Sequence, residues 1–230
     1  METMIRLSGV TKSYRRAGET LRVLDHLDLE VESGRFLALM GPSGSGKTTL
    51  LNLVGGLDHA DSGEVIVAGR SLDGLEGAEL SRWRAETVGF VFQQFNLLSV
   101  LTAQENVELP LLLAPLSRKR RRDQARHALD LVGLGDRLHH RPGQLSGGQE
   151  QRVAIARAIA TDPQVILADE PTGDLDRASA DQVLELLDRL HRELGKTVIV
   201  VTHDPLAAKR SERIVHLDKG KLVRTEDARA

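Results

Sequence analysis

The sequence has no cysteine, one tryptophan, one tyrosine and four phenylalanines among its 230 residues, and almost no excess of charge of either sign. The missing cysteines exclude disulfides and thiolate chemistry, and nothing demands an oxidising compartment. Aromatics make up 3% of the chain, too few for a base-stacking surface of the usual kind. Lys plus Arg number 31 against 33 Asp plus Glu, a formal net charge of -2. A protein whose main task is gripping nucleic acid is usually basic, so no nucleic-acid partner is expected. No run approaches the ~20 apolar residues of a membrane-spanning helix. The longest candidate, Leu109–Leu116, is interrupted by Pro110 and Pro115. Met1–Val10 lacks the apolar stretch of a secretory signal. What is present, 40% hydrophobic and 28% charged residues, suits a folded chain with a full core. A cytoplasmic, single-domain globular protein is the expectation.

The chain changes character twice. Its first third reads as strands: Ile5–Val10, Val23–Val31, Phe36–Met40, Gly63–Val67 and Val88–Phe92. Phe36–Met40 is a continuous apolar run, the pattern of a strand buried on both faces. The middle is helical. Thr102 and Glu105 have capping-box spacing, Ser117–Val132 reads as a long exposed helix, and Gln149–Ala160 is another. Strand and helix then alternate: Val165–Ala168, Ala178–Leu194, Thr197–Val201, and a short helix opened by Asp204-Pro205. Arg213–Leu217 and Lys221–Arg224 flank a turn at Asp218-Lys219-Gly220, and the polar tail beyond Arg224 is expected to be loose. This order predicts an α/β core with an inserted helical subdomain.

Gly41-Pro42-Ser43-Gly44-Ser45-Gly46-Lys47-Thr48 fits the phosphate-loop pattern G-x-x-x-x-G-K-[ST]. It follows the apolar strand and precedes a helical stretch beginning Thr49-Leu50-Leu51, the context the motif requires. Glycines let successive amides turn inward on phosphate oxygens, and the helix N-terminus adds roughly half a positive charge. Lys47 can reach the β- and γ-phosphates, and Thr48 can place its hydroxyl on Mg²⁺. Val165–Ala168 ends in Asp169-Glu170. Charges do not end a buried strand without a partner. Asp169 is placed to hold Mg²⁺, directly or through water. Glu170, on the other side of the strand, is placed to polarise a water for in-line attack.

Leu145-Ser146-Gly147-Gly148-Gln149 precedes the helix Gln149–Ala160. Ser146 and Gln149 have capping-box spacing, and Gly147 and Gly148 leave first-turn amides uncovered. The chain therefore owns two anion-ready helix ends, whereas one triphosphate needs one cradle. Two make sense if each nucleotide sits between the loop of one subunit and the second motif of another.

In these motifs, their order and their spacing, the sequence resembles the ATP-binding subunits of ABC transporters over nearly its whole length. A chance match to Leu-Ser-Gly-Gly-Gln is on the order of a few in ten thousand at average residue usage. The resemblance implies an α/β fold: a P-loop, RecA-like core with an antiparallel β subdomain (residues 1–92 and 162–230) and an α-helical subdomain (residues 93–161). It implies an ATPase that homodimerises around two Mg-ATP and works through a separate integral membrane permease, peripheral on the inner face of the cytoplasmic membrane. Gln93, rather than its neighbour Gln94, looks like the glutamine that senses Mg²⁺ and the attacking water. His203 looks like the switch histidine on the γ-phosphate, Tyr14 like the aromatic stacked on adenine, and Asp176 like the interface aspartate. The Phe92–Leu98, Glu105–Leu112 and Ala168–Gly173 segments resemble the lipoprotein-releasing and macrolide-efflux (LolD/MacB-like) branch, to which the cell-division FtsE proteins are near. Transport and a force-relay role on the cell envelope both remain open. Asp174 departs from the branch, which usually has Asn there, and an added carboxylate could weaken dimer closure. The Arg118-Lys119-Arg120-Arg121-Arg122 run reads as a solvated helix start, with weak contact to anionic lipid headgroups as the alternative.

Overall fold

The computed structural model describes residues 2–16 and 18–228. Two long strands, β1 (Thr3–Arg16) and β2 (Glu19–Glu32), pair antiparallel. With β4 (Ser62–Val67) and β5 (Arg70–Ser71) they form a four-stranded sheet ordered β2-β1-β4-β5. The second sheet is built from β3 (Phe36–Met40), β6 (Val88–Phe92), β7 (Val165–Asp169), β8 (Thr197–Val201), β9 (Arg213–Asp218) and β10 (Lys221–Asp227). Its order is β10-β9-β3-β8-β7-β6, and every neighbouring pair is parallel except β10–β9. This is the α/β architecture expected, with the antiparallel sheet beside it.

The apolar runs are continuous because both faces of the parallel sheet are covered. Leu37, Leu39, Val165, Leu167, Ile199 and Val201 pack with β1, β2, β4 and helix α1 (Lys47–Val54). The alternate residues Ile166, Ala168, Val198 and Val200 face the other way. They pack with α3 (Ala103–Glu108), α4 (Arg118–Leu131), α5 (Gly147–Ile159) and α6 (Arg177–Leu194). α3, α4 and α5 all lie between β6 and β7 in the chain, so the helical insertion shares its core with one face of the sheet.

Helix starts follow their caps. Thr102 and Glu105 form the capping box of α3, and the Ser117 hydroxyl accepts from the Arg120 amide at the start of α4. Asp204 caps α7 (Pro205–Ala208), with proline in its first turn. Four differences from expectation have local causes. β1 and β2 extend well beyond the apolar stretches, because a two-strand ladder tolerates charged residues on its open face. α5 begins at Gly147 rather than Gln149, since the cap is Ser146. Helix α2 (Gly77–Thr87) was not expected; among its buried residues only Leu80 and Trp83 are large and apolar, too few for a clear helical period. As far as Asp227 the tail is not loose: Thr225, Glu226 and Asp227 pair with Val215, Ile214 and Arg213, and residues 229–230 lie outside the described residues. Its polarity is that of an edge strand, and Glu226 bonds the His216 ring 2.7 Å away.

Candidate active site

The loop after β3 is shaped by close backbone approach. A Cβ at Gly41 would lie 2.0 Å from the Leu217 carbonyl oxygen, and one at Gly46 would lie 2.9 Å from that of Val23. Gly46, at φ 106°, is the N-cap of α1 and offers no side chain to the first-turn amides. The Ser45 hydroxyl is buried in the same loop and has no hydrogen-bond partner among the described residues. Uncapped amides and an orphaned hydroxyl make a cradle that fits a phosphate chain. Lys47 is not solvent-facing, as a loop lysine would be expected to be: it is buried, and its Nζ donates to the carbonyls of Gly41 and Pro42 at 2.9 Å each. Thr48 and Thr49 follow in the first turn of α1.

Asp169 ends β7 and faces this loop. Burial raises its carboxyl above the ordinary value, and the Glu170 charge adds to this, against the opposing pull of Thr48 and Lys47. Glu170 diverges from Asp169 for a reason other than strand alternation. It lies beyond β7 with φ at +45°, and its amide donates to the Val201 carbonyl at 2.9 Å. That turn carries its carboxylate to His203, whose Nδ1 is 3.1 Å away at the end of β8. The segments following two adjacent parallel strands thus bring an acid and a histidine together at the end of the sheet where β3 runs into the phosphate loop.

Tyr14 lies on β1 near the start of α1. Its hydroxyl donates to Asp58 Oδ2 at 2.7 Å, and Thr49 lies close enough to influence it. Lys12, itself buried, donates to Asp58 Oδ1 and to the His59 carbonyl, 2.7 Å each. Burial and Asp58 raise the Tyr14 phenol, which keeps it a neutral donor. Burial alone would raise the Asp58 carboxyl; Lys12, Tyr14 and the His59 amide hold it below its ordinary value. This tie is therefore complete above the ordinary carboxylate range and is lost as the pH falls through the depressed folded value. The ring is left 39% exposed beside the phosphate loop. Tyr14→Ala should weaken ATP binding by roughly 1–3 kcal/mol, the worth of base–aromatic stacking, and Tyr14→Phe by much less. Titration calorimetry distinguishes the two; wild-type affinity in both variants would remove Tyr14 from the site.

A second cluster forms around the start of α5. Ser146 accepts from the Gln149 amide, and Gln149 Oε1 accepts from the Ser146 amide at 2.9 Å. The two glycines differ in role. Gly147 is exposed, whereas Gly148 is covered by α6: a Cβ there would meet the Ser179 hydroxyl at 2.6 Å. Asp176 caps α6, accepting from the Ser179 amide and hydroxyl, and those bonds hold its carboxyl below the ordinary value. No hydrogen bond joins Ser146–Gln149 to the phosphate loop among the described residues.

Gln93 stands between the two clusters, its Nε2 donating to Asp174 Oδ1 at 2.9 Å. One residue escaped sequence reasoning. Gln151, fully buried on α5, donates to the carbonyls of Phe92 and Pro171, so it ties the helix to the segments leading into Gln93 and out of Glu170. A glutamine in a polar stretch of helix carries no sequence signal; only burial distinguishes it.

The family model of the ABC transporter matches residues 24–173. The chain belongs to the ABC transporter family. As an ABC ATPase it has relatives of two sizes. It is 51% identical to the macrolide export ATP-binding/permease protein MacB 1/2 of Paracoccus denitrificans, over 96% of this chain but only 33% of that protein. It is 47% identical to the lipoprotein-releasing system ATP-binding protein LolD of Chromohalobacter salexigens, over 99% of this chain and 95% of that one. The chain thus spans about a third of the macrolide exporters it matches and nearly all of the separate ATP-binding proteins. Its fold matches the dimeric post-hydrolysis structure of the ATP-binding cassette MJ0796 bound to ADP and Pi, with a TM-score of 0.91 and 45% identity over 99% of this chain and 100% of that one. These relatives place the ABC ATPase in the branch that its motifs resemble.

Proposed function

We propose that two copies of this ATPase close head to tail around two Mg-ATP and drive a separate membrane permease of the lipoprotein-release or macrolide-efflux type. The observation that carries this reading is the separation, within one chain, of two helix ends suited to anions. The phosphate loop (Gly41, Pro42, Ser43, Gly44, Ser45, Gly46, Lys47, Thr48, Thr49) holds the triphosphate, and Tyr14 carries the adenine. Ser146, Gly147, Gly148 and Gln149 complete the site of the opposite subunit, with Asp176 at the interface. Glu170 takes the proton of the attacking water, and His203 orients on the γ-phosphate. Residues 93–161 act as the helical subdomain, and residues 1–92 and 162–230 as the core.

Thr48, Asp169 and Gln93 fit a magnesium site. Asp169 is a carboxylate raised by burial, which a cation would relieve, and Thr48 lies against it. No group of three or more His, Asp or Glu side chains suited to a metal occurs among the described residues. One carboxylate, one hydroxyl and one amide oxygen would leave the ion's remaining positions to phosphate oxygens and waters. Magnesium, when bound, neutralises charge developing on the phosphates.

Ser146→Arg tests the shared site. A bulky cation there should block closure and hydrolysis while monomeric ATP binding is unchanged; normal turnover would remove the head-to-tail arrangement.

No helix among the described residues is long and apolar enough to cross a membrane. A partner surface lies after Gln93: Leu98, Val100, Leu112 and Leu113 are exposed, Val100 by 72%. This assignment puts the chain on the inner face of the cytoplasmic membrane. Co-expressed with its membrane protein, the chain should co-purify in detergent, with amide exchange slowed over residues 95–112. Slowing confined to Lys221–Asp227 would contradict it. Arg118, Lys119 and Arg120, exposed and without an ion pair among the described residues, add about 1 kcal/mol each on an anionic surface. Charge reversal of the three should abolish sedimentation with anionic vesicles.

A further inference from the structure

The ladder between β6 and β7 ends at the pair Phe92–Asp169. Beyond it, side chains take over. Gln151 bridges the Phe92 and Pro171 carbonyls, and Gln93 Nε2 donates to Asp174 Oδ1. The segment carrying Asp174 is itself tightly wound: the Gly173 amide donates to the Glu170 carbonyl and the Leu175 amide to that of Thr172. Gln93 also lies flat on Gly173, where a Cβ would stand 3.0 Å from its Nε2 and 3.2 Å from its Cδ. The glutamine is therefore held to the turn that carries Glu170, although 81 residues separate it from Asp174.

The chemistry of the contact has a direction. A carboxylate only accepts, so Asp174 can engage the amide nitrogen of Gln93 and never its oxygen. That leaves Oε1 as the free end of the amide, and it makes no hydrogen bond to any described residue. Oxygen is the end that a hard cation or an incoming water proton can use; the NH₂ end is not. An asparagine at 174 would satisfy either orientation, accepting through Oδ1 or donating through Nδ2, and would not select between them.

We propose that Asp174 is a positioning residue, fixing the amide of Gln93 with its oxygen outward and tying it to the Glu170 turn. This inference rests on the assignment of Gln93 to the magnesium site. Asp174 is exposed, so its replacement does not disturb the core. In place, it gives Gln93 a single orientation.

The test is Mn²⁺ binding to the ATP complex, followed by electron paramagnetic resonance in a Glu170→Gln background that suppresses turnover. Asp174→Ala should weaken Mn²⁺ about three- to tenfold, as expected for loss of a charge-assisted hydrogen bond that sets an orientation. Asp174→Asn should weaken it by about twofold at most, because half of the amide orientations remain correct. Gln93→Ala should weaken it at least as much as Asp174→Ala, and the double variant should show no further loss. Additive losses would mean that the carboxylate acts on the metal directly, and would overturn the proposal. So would wild-type Mn²⁺ affinity in Asp174→Ala when Gln93→Ala is impaired. Wild-type affinity in Gln93→Ala would instead overturn the assignment of Gln93, and the proposal with it.

Discussion

Glu170→Gln is expected to slow ATP hydrolysis by about 10²–10⁴, the usual cost of losing a general base, while ATP binding persists. Glutamine keeps the shape and one acceptor oxygen, so the contact with His203, 3.1 Å away, has a successor. It cannot take the proton of the attacking water. The backbone holding the residue is anchored independently of its side chain, through the Glu170 amide and the Val201 carbonyl. Asp169 keeps its place facing Thr48 and Lys47, and losing the neighbouring Glu170 charge removes one of the causes that raise its carboxyl. Removing one carboxylate also takes a negative charge away from the γ-phosphate, which favours the closed dimer. Hydrolysis is the step that reopens that dimer, so ATP should become a dimerising agent. Light scattering with Mg-ATP reads the mass directly, and a phosphate-release assay reads the rate. Hydrolysis at the wild-type rate would require another base and overturn this mechanism.

Lys47→Ala is expected to lower ATP affinity by on the order of 10²-fold or more, since two or more charge-assisted hydrogen bonds of about 1.5–3 kcal/mol each go with the ammonium. Without nucleotide, Nζ holds the loop's own carbonyls, those of Gly41 and Pro42. The Pro42 residue is exposed and Gly41 partly so, so water can replace the lysine there at small cost. The packing of the lysine stem is a separate contribution, because the residue is 8% exposed. Lys47→Met keeps most of that stem and removes the charge. Both variants should therefore lose ATP binding, and only Lys47→Ala should also melt at a lower temperature. Calorimetric binding and a thermal melt without nucleotide separate the two effects. Retained affinity in Lys47→Met would sink the phosphate-loop assignment.

The sequence by itself determined whatever is set by neighbours along the chain. The glycines around Lys47, the acids closing an apolar strand, and the serine and glutamine at the start of α5 each act through a local backbone shape, and local shape follows local sequence. Caps at Thr102, Ser117, Ser146 and Asp204 did the same for helix starts. Alternation failed where it had little to work on: in α2, with two large buried residues, and in β10, whose charged end is a normal sheet edge. Only the tertiary structure decided which of two adjacent glycines is covered, that Lys47 is buried, and that Asp58 and Lys12 hold Tyr14. It also decided that Glu170 leaves β7 through a left-handed turn, that buried Gln151 joins two strand ends, and that Asp174 faces the amide of Gln93. These are side-chain contacts between segments as much as 81 residues apart. Their energies depend on distance and orientation in space, and neither is written in any window of sequence short enough to show a period.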